Sequence, residues 1–349
     1  MPVCIGDSSL VKLVGAVAIN NQELIKLKNL ARFIYYIMNI QVIGPTLQSG
    51  IGQLCSKYAQ ILGCPYKVLY EGEIKPCDNI FIFALPVDYW FQTIPQLKKI
   101  CKKLVCMSIC ETETVHPAYG KLFDMFDEIA VASKFCQKVF SRQFPDKKFP
   151  LIHAAVPIRP LPPIDKTNKP YIFYHIGNII DDRKQFRKIL EAFIRMNNPD
   201  THLLVKATCN VDVQVNVPRV TIINGLLPDS EIDKMHAEGD CYVSFSHSEG
   251  IGMGAVEAAL HNKPVILSEY GAASEYIKSD YTIKCGMTTL PKDDFLFQKG
   301  MEWGDPDFEQ LQQFMQDAYD KRLRYVDHNH TTELLSEENI KNEFRSAFL

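Results

Sequence analysis

Two glutamates separated by seven residues bracket the most chemically suggestive stretch of this 349-residue chain, SHSEGIGMGAVEAALHNKPVILSEYG. Glu249 follows a predicted strand, Gly250, Gly252 and Gly254 open a helix, and Glu257 lies inside that helix. Glycines at a helix start let backbone N–H groups approach an anion closely, and the helix dipole adds positive potential, so a phosphate or diphosphate is the natural guest. A carboxylate one turn further in can accept hydrogen bonds from sugar hydroxyls. The same glycines would also serve if helix and strand needed only to pack closely. In a second constellation, HIGNIIDDRKQFRKILEAF, a strand ends at Gly177 and Arg183 and Lys184 stand just before an amphipathic helix. Cations at a helix start oppose the dipole, which favours a bound anion over a merely solvated turn. Fixed there, they would stabilise charge building on a departing diphosphate.

These residues need a scaffold that brings strand ends to one place. IQVIGPTLQSGIGQLCSKYAQILG reads as a short strand, a Gly/Pro/Ser loop and a helix stopped by Gly63. YKVLY at 66–70, NIFIFAL at 79–85, LVCMSI at 104–109 and EIAVAS at 128–133 have the continuous apolar character of strands covered on both faces. Helical stretches alternate with them, so residues 40 to about 158 form one doubly wound domain. PIRPLPPIDKTNKP, residues 157–170, holds five prolines and reads as a semi-rigid connector. The alternation restarts with YIFYHIG, THLLVKA and RVTIING, then with a helix capped by Asp229, the strand DCYVSFS, the glycine-led helix and KPVILSE. The expected boundaries are 1–160, with 1–39 an added element that includes a helix over 22–39, then 161–304, then helices over 305–349 packing back toward the first domain. Two such domains leave a cleft between the carboxyl ends of their strands.

The window around Glu249 resembles the C-terminal domain of nucleotide-sugar glycosyltransferases of the GT-B fold, family 4. Glu249, Gly250, Gly252, Glu257, Lys263, Pro264, Val265, Ile266 and Gly271 match its signature. The resemblance implies an α/β GT-B fold, two Rossmann-like doubly wound domains facing a central cleft, and a retaining transferase that needs no metal. It implies that Glu257 holds the donor ribose, that Glu249 touches the transferred sugar, and that the amides of Ile251, Gly252 and Met253 meet sugar and diphosphate. Arg183 and Lys184 match the family's later cations, but Asn178 stands where an arginine is usual, and Lys206 at the next strand end could supply the absent charge. GPTLQSGIGQ resembles the glycine-rich loop of the first domain, with Gly50 toward the donor diphosphate. Cys55 stands at the third glycine position of a dinucleotide fingerprint, which weakens a nicotinamide reading. Glu111 and Ser133 match the family in ICETETVHPAYGKLFDMFDEIAVASKF, and His116 is a candidate to orient an oxygen in the cleft. Glu111, Glu113 and His116 would serve equally as loop residues.

Composition agrees with an ordinary globular protein, 46% apolar and 23% charged. The net charge of −3 hides +6 over residues 1–160 and −9 beyond, which places an anionic partner at the first half and argues against nucleic acid coating. Lys98, Lys99, Lys102 and Lys103 share a predicted helical stretch that could rest on anionic lipid or simply face water. Eleven cysteines without a CxxC pair read as thiols in a reducing compartment. No basic leader or long apolar run is seen, so the expectation is a cytoplasmic protein, with any membrane contact peripheral. Asp305-Pro306-Asp307 spells an acidic pair known from metal-dependent transferases, but Asp305 as N-cap with Pro306 at the first helical position explains it, so no metal or cofactor is expected. The functional expectation is a sugar transferase that binds a nucleoside-diphosphate donor at the second domain and a carbohydrate-containing acceptor at the first. The alternatives are an inactive nucleotide-sugar-binding subunit and, more weakly, an NAD-dependent oxidoreductase. Donor base, donor sugar and acceptor are left open by the sequence.

Overall fold

The computed structural model describes residues 40–348 apart from Tyr70, Glu73 and Asn210, so the added element and its helix over 22–39 lie outside the described residues. The first half runs β1 (Ile40–Gly44), α1 (Gly50–Leu62), β2 (Tyr66–Val68), β3 (Cys77–Phe83), α2 (Asp88–Leu97), β4 (Cys101–Ser108), α3 (Ala118–Phe123), β5 (Glu128–Val131) and α4 (Lys134–Gln143). Its five strands form a parallel sheet in the order β2-β1-β3-β4-β5. The second half runs β6 (Tyr171–Gly177), a 3₁₀ turn at Asp182–Lys184, α5 (Phe186–Met196), β7 (Thr201–Ala207), β8 (Val220–Ile223), α6 (Asp229–Glu238), β9 (Cys241–Val243), α7 (Met253–Leu260), β10 (Val265–Ser268), α8 (Ala273–Tyr276) and β11 (Thr282–Ile283). These strands form a second parallel sheet, β11-β10-β9-β6-β7-β8. A hairpin of β12 (Cys285–Thr289) and β13 (Glu302–Pro306) follows, then α9 (Phe308–Asp320), α10 (Asn329–Leu334) and α11 (Glu337–Phe348). In both sheets the strand order reverses beside the first strand of the unit, and there the carboxyl ends open a crevice.

Continuous apolar runs became central strands because helices cover both faces. Ile80, Phe81 and Ile82 of β3 and Leu104, Val105, Cys106 and Met107 of β4 have no exposed surface. One core cluster crosses the two sheets. It joins Tyr58 of α1 and Phe81 of β3 to Tyr174 of β6 and Val256 of α7, and to Ile340 and Phe344 of α11. The Phe344 ring lies 5.6 Å from Tyr58 and 5.4 Å from Phe81, so the last helix packs on the first domain.

Several local expectations are corrected. Asp305 and Pro306 belong to β13, which pairs with β12 through Cys285 and Gly286, and the cap of α9 is Asp307, whose carboxylate accepts from the N–H groups of Glu309 and Gln310. The acidic pair is thus divided between a strand end and a helix cap. Asp229 is the first residue of α6 and does not cap it; Pro228 stands at the N-cap. The four lysines do not share a helix, since Lys98 caps α2 while Lys102 and Lys103 lie in β4. Lys98 pairs with Asp127, Lys102 with Asp78 and Lys103 with Glu128, and Lys99 reaches Gln96, so this patch is largely neutralised on the protein itself. Among the described residues no helix is long and apolar enough to cross a membrane.

His153 lies where the first sheet, the second domain and the last helix meet. Nδ1 faces Glu343 Oε1 at 2.6 Å and Nε2 faces Glu275 Oε1 at 2.9 Å, with the ring against Tyr276. Burial acts to lower its pKa, but hydrogen bonds and charge from Glu275 and Glu343 prevail and raise it from 6.5 to about 9. The folded pKa lies above the unfolded one, so this contribution is complete below the unfolded value and disappears as pH rises through the folded value. Denaturant unfolding is expected to show wild type losing roughly 3 kcal/mol relative to His153→Gln between about pH 6.5 and pH 9.5. Parallel pH profiles of the two proteins would refute this charge assignment.

Candidate functional site between the two sheets

A cavity of about 1030 Å³ opens at the carboxyl ends of β6, β7 and β8. Leu47, Gln48, Ser49, Gly50 and Gln53 of the first domain form one wall, and Met253, Gly254 and Glu257 of α7 form the opposite one. Two helix N-termini therefore meet across it. Ser49 caps α1 by accepting from Gly52 N–H at 3.0 Å. The N-cap of α7 is Gly252, with φ of 82° and no side-chain cap, so its first-turn donors stay available. Gly254 has a packing duty: an added Cβ would stand 2.5 Å from Tyr242 Oη and 3.2 Å from Ile176 O. The packing reading thus holds at Gly254, while the turn at Gly252 leaves the helix start without a side-chain cap.

Four bases and four acids line the cavity: Arg159, Arg183, Lys184 and Lys206 against Asp181, Asp212, Asp229 and Glu257. The bases differ in how far they are engaged. Arg183, its side chain 11% exposed, meets Glu111 at 3.0 Å, Asp181 at 3.1 Å and Glu249 at 3.5 Å, and donates to Ser248 O. Burial alone would lower its pKa, yet those three carboxylates raise it. Lys184 holds both oxygens of Glu249 at 2.5 and 2.6 Å. Arg159, from the proline-rich connector, is bound to Asp233 and Asp229. Lys206 is 3% exposed and bonds to the carbonyl oxygens of Ala207 and Gly225, with no carboxylate against it among the described residues. Burial lowers its pKa, as expected for an ammonium lacking an anionic partner.

Of the residues expected at the site, Gly50, Arg183, Lys184, Lys206, Met253 and Glu257 line this cavity, as does Asn178. Ile251 is buried, and neither it nor Gly252 faces the cavity. Glu249 lies behind Lys184 and Arg183 and also accepts from Ser246 Oγ at 2.6 Å. Burial would raise its pKa, but Lys184 and Arg183 hold it at about 2. Glu111 crosses from the first domain and accepts from Gly250 N–H at 3.1 Å while pairing with Arg183. The first backbone donor of the glycine-rich turn is thereby already occupied by a carboxylate. His116 is elsewhere: its Nδ1 accepts from Ala118 N–H at 3.0 Å, which ties it to the start of α3 and outside the cavity. Ser133 is a helix cap, accepting from Cys136 N–H at 3.1 Å.

The sequence reading missed three participants. Arg159 was hidden in a segment read as a connector. His236 of α6 stands 3.5 Å from Glu257 Oε2, with Nδ1 3.1 Å from Tyr174 Oη, and nothing in helix spacing distinguishes it. Gln53 donates to Asp229 across the cleft at 3.1 Å, a contact between residues 176 positions apart.

Residues 162–303 match the family model of glycosyl transferases group 1. That match lies wholly in the second half of the chain and spans about two fifths of its length. Solved structures extend the likeness to both halves. TarM from S. aureus, solved with fondaparinux, α-GlcNAc-glycerol and UDP, aligns with a TM-score of 0.53 at 14% identity over 77% of this chain and 55% of its own. The pneumococcal O-GlcNAc transferase GtfA, solved with UDP and GlcNAc, gives 0.52 at 13% over 76% of this chain and 56% of its own. The lipopolysaccharide outer core galactosyltransferase WaaB, in its apo form, gives 0.56 at 12% over 89% of this chain and 99% of its own. The chain thus spans a little over half the length of TarM and GtfA. No curated protein sequence matches it. The fold is GT-B, two Rossmann-like domains about a central cleft.

In this GT-B cleft Glu111 occupies Arg183 and Gly250 N–H, two groups suited to an anion. Glu111→Gln keeps the shape but removes the charge from Arg183 and from Gly250 N–H. Calorimetric titration with inorganic pyrophosphate is expected to show binding tightened about tenfold in the variant. Unchanged or weaker binding would show that the carboxylate does not compete.

Proposed function

We propose that the chain transfers a sugar, with retention of anomeric configuration and without a metal, from a nucleoside-diphosphate donor in the large cavity to a carbohydrate-containing acceptor. The observation that carries this reading is the cavity itself, set at the strand ends of the segment that matches the group 1 glycosyl transferase model and walled by two helix N-termini. The donor ribose sits against Glu257, whose Oε2 lies 3.5 Å from His236 Nε2. The diphosphate meets the first turn of α7, the loop at Gly50, and Lys206. We assign Lys206 the charge that an arginine at Asn178 would otherwise bring, because it is the cavity cation without a recorded carboxylate partner among the described residues. Charge appearing on the departing diphosphate is then met by a fixed ammonium and oriented N–H groups in a part-desolvated site. Glu249 acts here by fixing Arg183 and Lys184 rather than by direct contact with the nucleotide. The UDP in the TarM and GtfA structures makes uridine donors the first to try. The protein is read as cytoplasmic.

A second reading, binding without transfer, draws on the carboxylates that already neutralise Arg183 and Lys184. Release of nucleoside diphosphate from a bound donor separates the two.

Melting curves with UDP-, GDP- and ADP-glucose are expected to show stabilisation by one class, worth about 2.7 kcal/mol at a hundredfold excess over Kd. Glu257→Ala and Lys206→Met should each reduce that donor's affinity by roughly tenfold or more while leaving the unliganded midpoint within a few degrees. Equal shifts in wild type and Glu257→Ala would remove the ribose assignment.

A further inference from the structure

Seven residues separate Glu249 from Glu257, yet the two carboxylates are held in opposite ways. Lys184, Arg183 and Ser246 engage Glu249. Among the described residues no lysine or arginine pairs with Glu257, and the one polar side chain set against it is His236, with Nε2 3.5 Å from Oε2. His236 is 1% exposed, and its Nε2 makes no hydrogen bond within the protein. A buried polar atom in that state calls for a reason.

The other ring nitrogen is engaged. Nδ1 lies 3.1 Å from Tyr174 Oη, with the two rings at 87°. Tyr174 is wholly buried in β6, and burial pushes its pKa far up, so the phenol keeps its proton. Among the described residues His236 Nδ1 is the acceptor for that proton; were Nδ1 itself protonated, the buried hydroxyl would have nowhere to donate. The phenol therefore donates to Nδ1, which leaves the ring proton on Nε2, facing Glu257. Packing holds this order in place. An added Cβ on Gly239 would overlap the Tyr174 ring, and Tyr242 meets that ring edge-on at 5.1 Å.

We propose that His236 is a positioning residue for the donor ribose: its Nε2–H, aimed by Tyr174, draws Oε2 of Glu257 toward the protein and turns the other oxygen to the ribose hydroxyls. The proposal rests on the reading of Glu257 as the ribose carboxylate. The 3.5 Å separation is long for a hydrogen bond, so the attraction is of charge to dipole, and it strengthens when a ligand drives water from the cavity. A neutral donor suits the task. An ammonium in its place would compete with the sugar for both oxygens, as Lys184 does at Glu249.

Calorimetric titration of UDP, GDP and ADP against their 2′-deoxy and 3′-deoxy counterparts tests this, because the ratio of deoxy to ribo Kd reads the hold of Glu257 on the sugar. In wild type the nucleotide that binds is expected to show a ratio of about ten or more for at least one hydroxyl. His236→Asn keeps an amide for Tyr174 but falls short of Glu257, and the ratio should drop to about two. His236→Gln restores an N–H at the ε position and should return the ratio to within about twofold of wild type. Tyr174→Phe keeps the ring and releases the tautomer, so its ratio should fall between those of wild type and His236→Asn. A histidine that served packing alone would, when replaced, weaken ribo and deoxy nucleotides equally. A wild-type ratio in His236→Asn, or a ratio in His236→Gln as low as in His236→Asn, would therefore overturn the proposal. Should His236→Asn fail to fold, an unchanged ratio in Tyr174→Phe would overturn it equally. A wild-type ratio near one, or one that survives Glu257→Ala, would instead overturn the ribose assignment, and no binding of any of the three nucleotides would overturn the donor reading.

Discussion

The arrangement of this cleft depends on burying a guanidinium. Arg183 can be withdrawn from water only because Glu111, Asp181 and Glu249 surround it, and an unpaired charge at that depth would cost several kcal/mol. Glu111 comes from the first domain and the other two from the second, so one buried ion cluster also joins the domains. Its carboxylate further satisfies Gly250 N–H at the mouth of the glycine-rich turn. The same interaction thus stabilises the closed arrangement and occupies a donor suited to an anion. A ligand bearing phosphates must outbid it or use what remains, namely the first turn of α7 and Lys206.

The domain interface is fastened at more than this cluster. Glu113 N–H donates to Glu302 O at 2.9 Å, and Tyr270 Oη donates to Glu113 Oε1 at 3.0 Å, which lays the second half of the hairpin across the loop after β4. On the opposite side His153 ties Glu275 of the second domain to Glu343 of α11. The last helix crosses to the first sheet with Phe344 in its core and Lys57 paired with Glu337. Rotation of one domain on the other would break these contacts in groups, because they share side chains.

Much of the architecture was legible as pattern. YIFYHIG and THLLVKA become β6 and β7 with the bounds read from their apolar runs, since a central parallel strand needs side chains suited to burial on both faces. Gly252 and Glu257 keep the places expected of a helix-start glycine and a carboxylate one turn on. The failures have physical reasons too. DCYVSFS shortens to Cys241–Val243 because the chain leaves the sheet to form the loop holding His247 and Glu249. Asp305 and Pro306 pair with β12 because that hairpin needs partners, and local capping preference moves two residues on to Asp307. Three of the four lysines near residue 100 find acids on neighbouring strands and turns, which no count of charges along the chain can reveal.

The amino-acid order by itself determined the alternation of strands and helices, the glycine-led turn, and the cations that could face an anion, because each is set by short-range periodicity and backbone freedom. Only the tertiary structure decided which of those charges are spent and which are spare. Glu111 and Arg183 lie 72 positions apart yet 3.0 Å from each other, while Lys206 ends among carbonyl oxygens. Electrostatic pairing follows distance in space and the local dielectric, neither of which is written in sequence separation.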